Sequence, residues 1–369
     1  MTTVMTTGIQ GRRWLPSKMV LGSSVVVLAV LAGAGWMAKP VWQPWWYAST
    51  MCGGHLSGGE LADLLPDERL QAGRDTFDSG QRNLLKCVIE ENDGQHFALK
   101  IEAQIDTGEV HGPLDMEFGI PVNPRYTYPK SVPGFYGKFG PVIIQECPKL
   151  GRDDDGRARR LVTNVYAHGV ENDPSPASLR TAVRIANGAN AELGCGADPL
   201  PLPDRVEVPA KLPLNQTKGT MCAWLTQATL PKSPSGKEWK VIAPTDEKAP
   251  ITSCSLSDPG TGETVDFTAW FGDWTDKPFE NLILHNAQIP DERGEDEALL
   301  TENFGRAKAR CDGEPANFLA SSYARHSADP VLPMGKVRPL LEAFTADQAK
   351  RRGCTDVKLP GHTVYPGRH

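Results

Sequence analysis

Residues 50–52 read Thr50-Met51-Cys52, and residues 220–222 read Thr220-Met221-Cys222. Outward from this pair the whole chain falls into register with itself. Cys52, Cys87, Cys147 and Cys195 are followed, in the same order and at nearly the same intervals, by Cys222, Cys254, Cys311 and Cys354. Phe139-Gly140 precedes the third cysteine of the first set as Phe304-Gly305 precedes the third of the second. Tyr166-Ala167-His168 sits where Tyr323-Ala324-Arg325-His326 sits, and Gly194-Cys195 closes one half as Gly353-Cys354 closes the other. These ordered markers describe a tandem duplication. The expected domains are residues 50–198 and 219–358, each long enough to bury a core of its own. Between them residues 199–218 form a proline-rich, semi-rigid spacer, and residues 359–369 form a tail.

Strand and helix periods give each half its class. Gln95 to Ile105 alternates, with Phe97, Leu99, Ile101, Ala103 and Ile105 on one face and His96, Lys100, Glu102 and Gln104 on the other. Strict alternation is the pattern of a half-buried antiparallel strand. Val265, Phe267, Ala269 and Phe271 repeat it in the second half. Further strands start at Arg160 and at Asn317. Leu179, Ala182, Val183, Ala186 and Leu193 follow Ser178 at helical spacing and stop at Gly194; Val337, Leu340, Leu341 and Phe344 do the same before Gly353. Leu61, Leu64 and Leu65 mark a short helix, whose counterpart is weakened by Pro231 and Pro234. Each domain is therefore expected to be α+β, an antiparallel sheet packed with helices.

Met19 to Ala38 carries no charge, and roughly 20 apolar residues match the thickness of a bilayer. Arg12, Arg13 and Lys18 precede the run, which places residues 1–18 in the cytoplasm and the remainder outside. Trp42, Trp45, Trp46 and Tyr47 make residues 39–49 a juxtamembrane aromatic segment suited to the headgroup layer. The expected location is the plasma membrane, single-pass, with residues 19–38 as the transmembrane helix. A cleaved signal ending near Ala32-Gly33-Ala34 is the competing reading.

Outside the cytoplasm an even set of eight cysteines reads as a disulfide framework. Four cysteines per half allow three pairings, and we expect sequence neighbours: Cys52–Cys87, Cys147–Cys195, Cys222–Cys254 and Cys311–Cys354. Each first cysteine precedes a short segment returning to a strand, and each last one ends a helix able to pack back on a strand. A zinc site would want Cys-x-x-Cys or paired histidines, and neither pattern occurs.

The layout resembles that of secreted and membrane-anchored proteins of unknown function from high-GC Gram-positive bacteria, many of which carry a cysteine before a first helix and another entering a strand. The positions here are Cys52 and Cys87, or Cys222 and Cys254. At fold level each half is similar to the small α/β sandwiches of PsbP type. The resemblance implies an envelope location and brings no catalytic residue with it.

Charge and motifs narrow the function. The chain carries a net −6, and Arg12, Arg13, Lys18 and Lys39 put +4 on residues 1–39, so the remainder is ten charges negative. No basic stripe for nucleic acid is present. The sequence has no Gly-x-Ser-x-Gly elbow, no Ser-x-x-Lys pair and no His-Glu-x-x-His helix. His168 and His326 stand at strand ends, where capping backbone groups is the plain role and ligand binding the other. Asp153-Asp154-Asp155-Gly156 lacks the alternation of a calcium loop and reads as a solvated turn. Residues 121–141 hold the candidate binding loop: Arg125, Tyr126, Tyr128, Lys130, Phe135, Tyr136 and Lys138. Aromatics stiffened by proline lose little entropy on meeting a partner; the plain alternative is rings covering a sheet edge. The expectation is a non-enzymatic binding or structural module of the cell envelope, with no cofactor, no metal and no catalytic residues, whose partner is another envelope protein or polymer. The alternative is a cell-wall or small-molecule hydrolase with acids gathered only by the fold.

Overall fold

The computed structural model describes residues 27–367, apart from 28–29, 35–36, 79–83, 107–125, 138–139, 155, 169–174, 207, 244–248, 277–278, 281, 284–286, 289–297 and 325–328. Each half is built on a sheet. In the first, β1 (Leu70–Asp78), β2 (Leu84–Glu91), β3 (Phe97–Asp106), β4 (Tyr126–Thr127), β5 (Gly134–Tyr136), β6 (Pro141–Glu146) and β7 (Arg160–Ala167) lie in the order β1-β2-β3-β7-β6-β5-β4. The second holds β8 (Lys211–Pro213), β9 (Lys240–Ile242), β10 (Ile251–Ser257), β11 (Thr264–Phe271), β12 (Leu299–Thr301), β13 (Phe304–Cys311), β14 (Glu314–Ser321), β15 (Thr355–Lys358) and β16 (Val364–Tyr365). Its order is β16-β12-β13-β14-β11-β10-β9-β8, with β15 beside β13. The four central strands match one for one: β2-β3-β7-β6 and β10-β11-β14-β13, antiparallel throughout. The duplication thus extends to strand order.

Helices cover the outer face of each sheet. In the first half these are α1 (Lys39–Thr50), α2 (Gly58–Leu64) and α3 (Pro176–Glu192). Ser175 caps α3 by accepting from the Ala177 N–H at 3.2 Å, and Pro176 fills the first turn, where no N–H is needed. The helix therefore starts at Pro176, two residues before Ser178. The second half has α4 (Met334–Arg352), closed by Gly353 at φ +64° in the left-handed region. The counterpart of α2 is only a 3₁₀ turn, Ala223–Thr226.

All four cysteine pairs are those of sequence neighbours: Cys52–Cys87, Cys147–Cys195, Cys222–Cys254 and Cys311–Cys354. One bridge joins the segment before β1 to β2 in the first half and the segment between β8 and β9 to β10 in the second. The other joins the end of α3 or α4 to the strand end beneath it. Loops of 32 to 48 residues correspond to about 4 kcal/mol each in the chain-entropy treatment.

The two sheets face each other. Phe135, Val142, Ile144 and Val162 from the first half pack with Ile251, Trp270, Phe304 and Leu319 from the second in one buried cluster. Residues opposite to these on the same strands, such as Ile143 and Leu161 or Phe267, Ala307 and Phe318, fill the two helix-covered cores. The order of layers is helices, sheet, sheet, helix. The linker is held as well: Asn187 exchanges two hydrogen bonds with the Leu200 backbone (2.9 and 2.8 Å), and Asn190 two with Ala197 (2.8 and 3.1 Å). Leu200 and Val206 pack on the first core.

The amino-terminal expectation divides. Residues 19–38 lie for the most part outside the described residues, and no helix among those described is long and apolar enough to cross a membrane. The aromatic segment is α1, and it belongs to the first half rather than preceding it. Gln43, Pro44, Tyr47 and Ala48 are buried; the Gln43 amide oxygen accepts from the Leu70 N–H at 3.1 Å, and Lys39 Nζ donates to Leu70 O at 2.6 Å. Tyr47, expected among the headgroup rings, is a core side chain.

Candidate functional site

Four places gather chemistry. The first is the proline-rich loop. Its described part makes the β4–β5 hairpin at the sheet edge, where Gly134 (φ +159°) lies so close to the Val142 carbonyl that a Cβ there would sit at 2.0 Å. This tight approach turns the rings inward. Tyr128, Phe135 and Tyr136 are buried, and Phe135 meets Trp270 of the second half edge-on at 5.2 Å. These three rings are packing groups, so the expectation that they meet a partner is corrected. Lys130 is exposed at the loop tip. Arg125, Lys138 and the side chain of Tyr126 lie outside the described residues.

The second place is the seam between the sheets. Arg160 at the start of β7 donates through Nη2 to Asp273 Oδ1 (2.8 Å) and through Nη1 to Glu146 Oε1 (3.2 Å). Asp273 Oδ2 also accepts from the Ala158 N–H at 2.7 Å. A buried ion pair thus crosses from one half to the other. Beside it opens a cleft of about 520 Å³, lined by Lys130, Arg160 and Arg352 and by Glu146, Asp312 and Glu314. The Arg352 guanidinium stacks on Phe271 at 4.0 Å from the ring centre.

The third is a cavity of about 760 Å³ under the linker, walled by both halves and mainly apolar. Tyr128 is part of its wall.

The fourth lies at the tip of the β2–β3 hairpin. His168 Nδ1 is 2.8 Å from Glu91 Oε1, and His96 Nδ1 is 2.9 Å from Asp93 Oδ2. The ligand atoms of Glu91, Asp93 and His96 lie within 4.8 Å of one another, close enough to hold a metal ion after small side-chain adjustments. The backbone N–H of Gln95 and the His96 ring hold the Asp93 carboxyl below its ordinary range, and Asp93 in turn raises His96. Glu91, Asp93 and His96 come from one hairpin tip, and the pairing of β3 with β7 brings His168 to them. His326, the counterpart of His168, lies outside the described residues. Asp153 accepts from the Arg157 N–H at 2.8 Å and from Arg157 Nε at 3.2 Å, which makes its segment a self-bonded turn.

No family model matches the chain, and neither a curated protein nor a solved structure matches it.

Proposed function

We propose that this chain is a membrane-tethered, extracytoplasmic tandem-domain protein that serves as a non-enzymatic binding or structural module of the cell envelope. One observation carries the reading: the exposed aromatic face of α1. Trp42, Trp45 and Trp46 are 43%, 56% and 46% exposed on a helix whose other face is locked into the first core. Val41 and Met37, then Leu31, Val30 and Val27, continue the exposed apolar surface toward the amino end. So many exposed large apolar side chains in one stretch are uncommon on a surface that meets only water. Indole rings facing a headgroup layer, just after a charge-free run, are the ordinary design of a membrane anchor. Four disulfides agree with an oxidising compartment. The resemblance to anchored envelope proteins of high-GC Gram-positive bacteria belongs to the same proposal.

In this arrangement α1 is a rigid post. Its buried face fixes the orientation of both halves relative to the bilayer, since the first half is docked on the second through the seam. The test is reconstitution of the full chain into vesicles containing brominated lipid. Tryptophan emission should be quenched in the wild type and much less in a Trp42, Trp45, Trp46→Phe variant, and alkaline carbonate should not extract the protein. An unquenched protein that carbonate releases overturns the tether. The hydrolase reading would have to be carried by the seam cleft, where Glu146, Asp312 and Glu314 gather. Turnover of a wall substrate lost on Glu314→Gln would replace our reading.

A further inference from the structure

The tip of the β2–β3 hairpin gathers two carboxylates and two imidazoles. Glu91 ends β2, Asp93 and His96 stand in the turn that follows, and His168 stands just past the end of β7. The Glu91 N–H donates to the His96 carbonyl at 2.9 Å, which closes the turn. The His168 N–H donates to the Ala98 carbonyl at 3.0 Å, which sets its ring beside Glu91. With the backbone so arranged, donor atoms of Glu91, Asp93 and His96 all fall within 4.8 Å of one another.

The tip is short of permanent positive charge. Glu60 meets Arg180 and Arg184, and Glu102 meets Lys86 and Lys100. Glu91 and Asp93 have no ion pair with lysine or arginine among the described residues; each faces an imidazole instead, at 2.8 and 2.9 Å. An imidazole gives up its charge around neutral pH, and these two adjacent carboxylates then have no fixed cation beside them. Asp93 is also held ready. Its Oδ1 accepts from the Gln95 N–H at 2.8 Å and the His96 N–H at 3.3 Å, which turns Oδ2 toward the His96 ring. His168 holds Glu91 through Oε1. Partners of this kind, outside the donor set, are what orient metal ligands.

We propose that Glu91, Asp93 and His96 bind a divalent cation of the zinc class, with His168 orienting Glu91. The donor set selects the class. Zinc takes imidazole and carboxylate together, whereas calcium and magnesium want oxygen alone. Two carboxylates and a neutral imidazole also balance the charge of such an ion. Tetrahedral zinc bonds put its donors about 3.4 Å apart, a short rotamer adjustment for exposed side chains. Three protein donors leave a fourth position to water. The site goes beyond the tether and stands independently of it.

The experiment uses the full untagged chain in non-ionic detergent, titrated with Zn²⁺ by calorimetry while the histidine ring signals are followed by NMR. The wild type should bind one Zn²⁺ saturably, with the His96 signals changing first, and Ca²⁺ at least tenfold more weakly. Asp93→Asn and His96→Gln should each lower Zn²⁺ affinity by tenfold or more. His168→Gln should lower it by about tenfold with one ion still bound, since an outer partner typically carries about 10–100-fold. All three positions are exposed, so melting temperatures without zinc should stay within about 2 °C of the wild type. His55→Gln, which removes the other histidine–carboxylate contact (2.6 Å to Glu192), should leave the affinity unchanged. No saturable Zn²⁺ binding up to millimolar concentration overturns the site. So does an affinity that survives both Asp93→Asn and His96→Gln, or one that falls with His55→Gln. Calcium bound as tightly as zinc overturns the class of ion, and an unchanged affinity in His168→Gln overturns its orienting role.

Discussion

Asp273→Ala tests the docking of the two halves. The Arg160 side chain is 5% exposed and that of Asp273 11%, so the pair works in a setting where water screens little. Removing the carboxylate takes away the acceptor of a charged hydrogen bond at 2.8 Å and of a backbone N–H at 2.7 Å. Hydrogen bonds to charged groups contribute about 1.5–3 kcal/mol and neutral ones about 1, and breaking a buried ion pair costs about 3–5 kcal/mol. Glu146 still receives Nη1 at 3.2 Å, but its side chain is 69% exposed and compensates only in part. Arg152, at 3.6 Å and 63% exposed, adds little to the wild-type pair. The expected loss is therefore near the lower bound, about 3 kcal/mol, or roughly 150-fold in the folding constant. Urea unfolding of the full chain, followed by tryptophan emission, reads it directly, because Trp270 and Trp274 lie in the seam cluster. The double variant Arg160→Met, Asp273→Leu should recover more than half of the loss, since apolar replacement of a buried pair is often neutral. A shift of less than about 0.5 kcal/mol for Asp273→Ala would refute the reasoning, and so would losses in the two single variants that simply add.

Three further outcomes are expected. Replacing Cys147 and Cys195 together by Ser should lower stability by about 4 kcal/mol, measured by denaturant unfolding against the untreated wild type. Tyr136→Ala should destabilise the protein by about 3–5 kcal/mol, a truncation of a buried ring comparable to Phe→Ala, and thermal unfolding would show it. His96 should titrate above its ordinary value in NMR, and Asp93→Asn should bring it down. Because the folded value is raised, the contribution of this pair is fully present below about pH 6.5 and is lost as pH rises through the folded value. An unshifted His96 resonance in Asp93→Asn would remove the pair from consideration.

The duplication, the pairing of the eight cysteines and the strand–helix order of each half were legible in the sequence. All three depend on local period and on spacing that recurs. Leu99, Ile101, Ala103 and Ile105 face the helix-covered core as their alternation requires. Phe97, on the same stripe, does not: it is 42% exposed at the strand's first residue, beyond the reach of the helix layer. The start of α3 was misplaced because the Ser175-Pro176 pair outcompetes Ser178 as a cap. One available signal was the unbroken apolar run Val142-Ile143-Ile144, typical of a strand covered on both faces.

What the tertiary structure alone decided is where the second face of each sheet goes. Trp270 occupies an alternate position on β11, opposite Phe267 and Ala269, and is buried against Phe135 from the other half. A period of two states that the two faces of a strand differ, and it carries no information on whether the second face meets water or another sheet. The same holds for Tyr128 and Tyr136, whose composition suits a free loop and a sheet edge equally. It holds too for His168, which meets Glu91 only once β2, β3 and β7 are paired. Chain-local patterns set each half. The docking of one half on the other is a rigid-body event, and its partners are chosen by shape and burial between residues more than a hundred positions apart, as with Arg160 and Asp273.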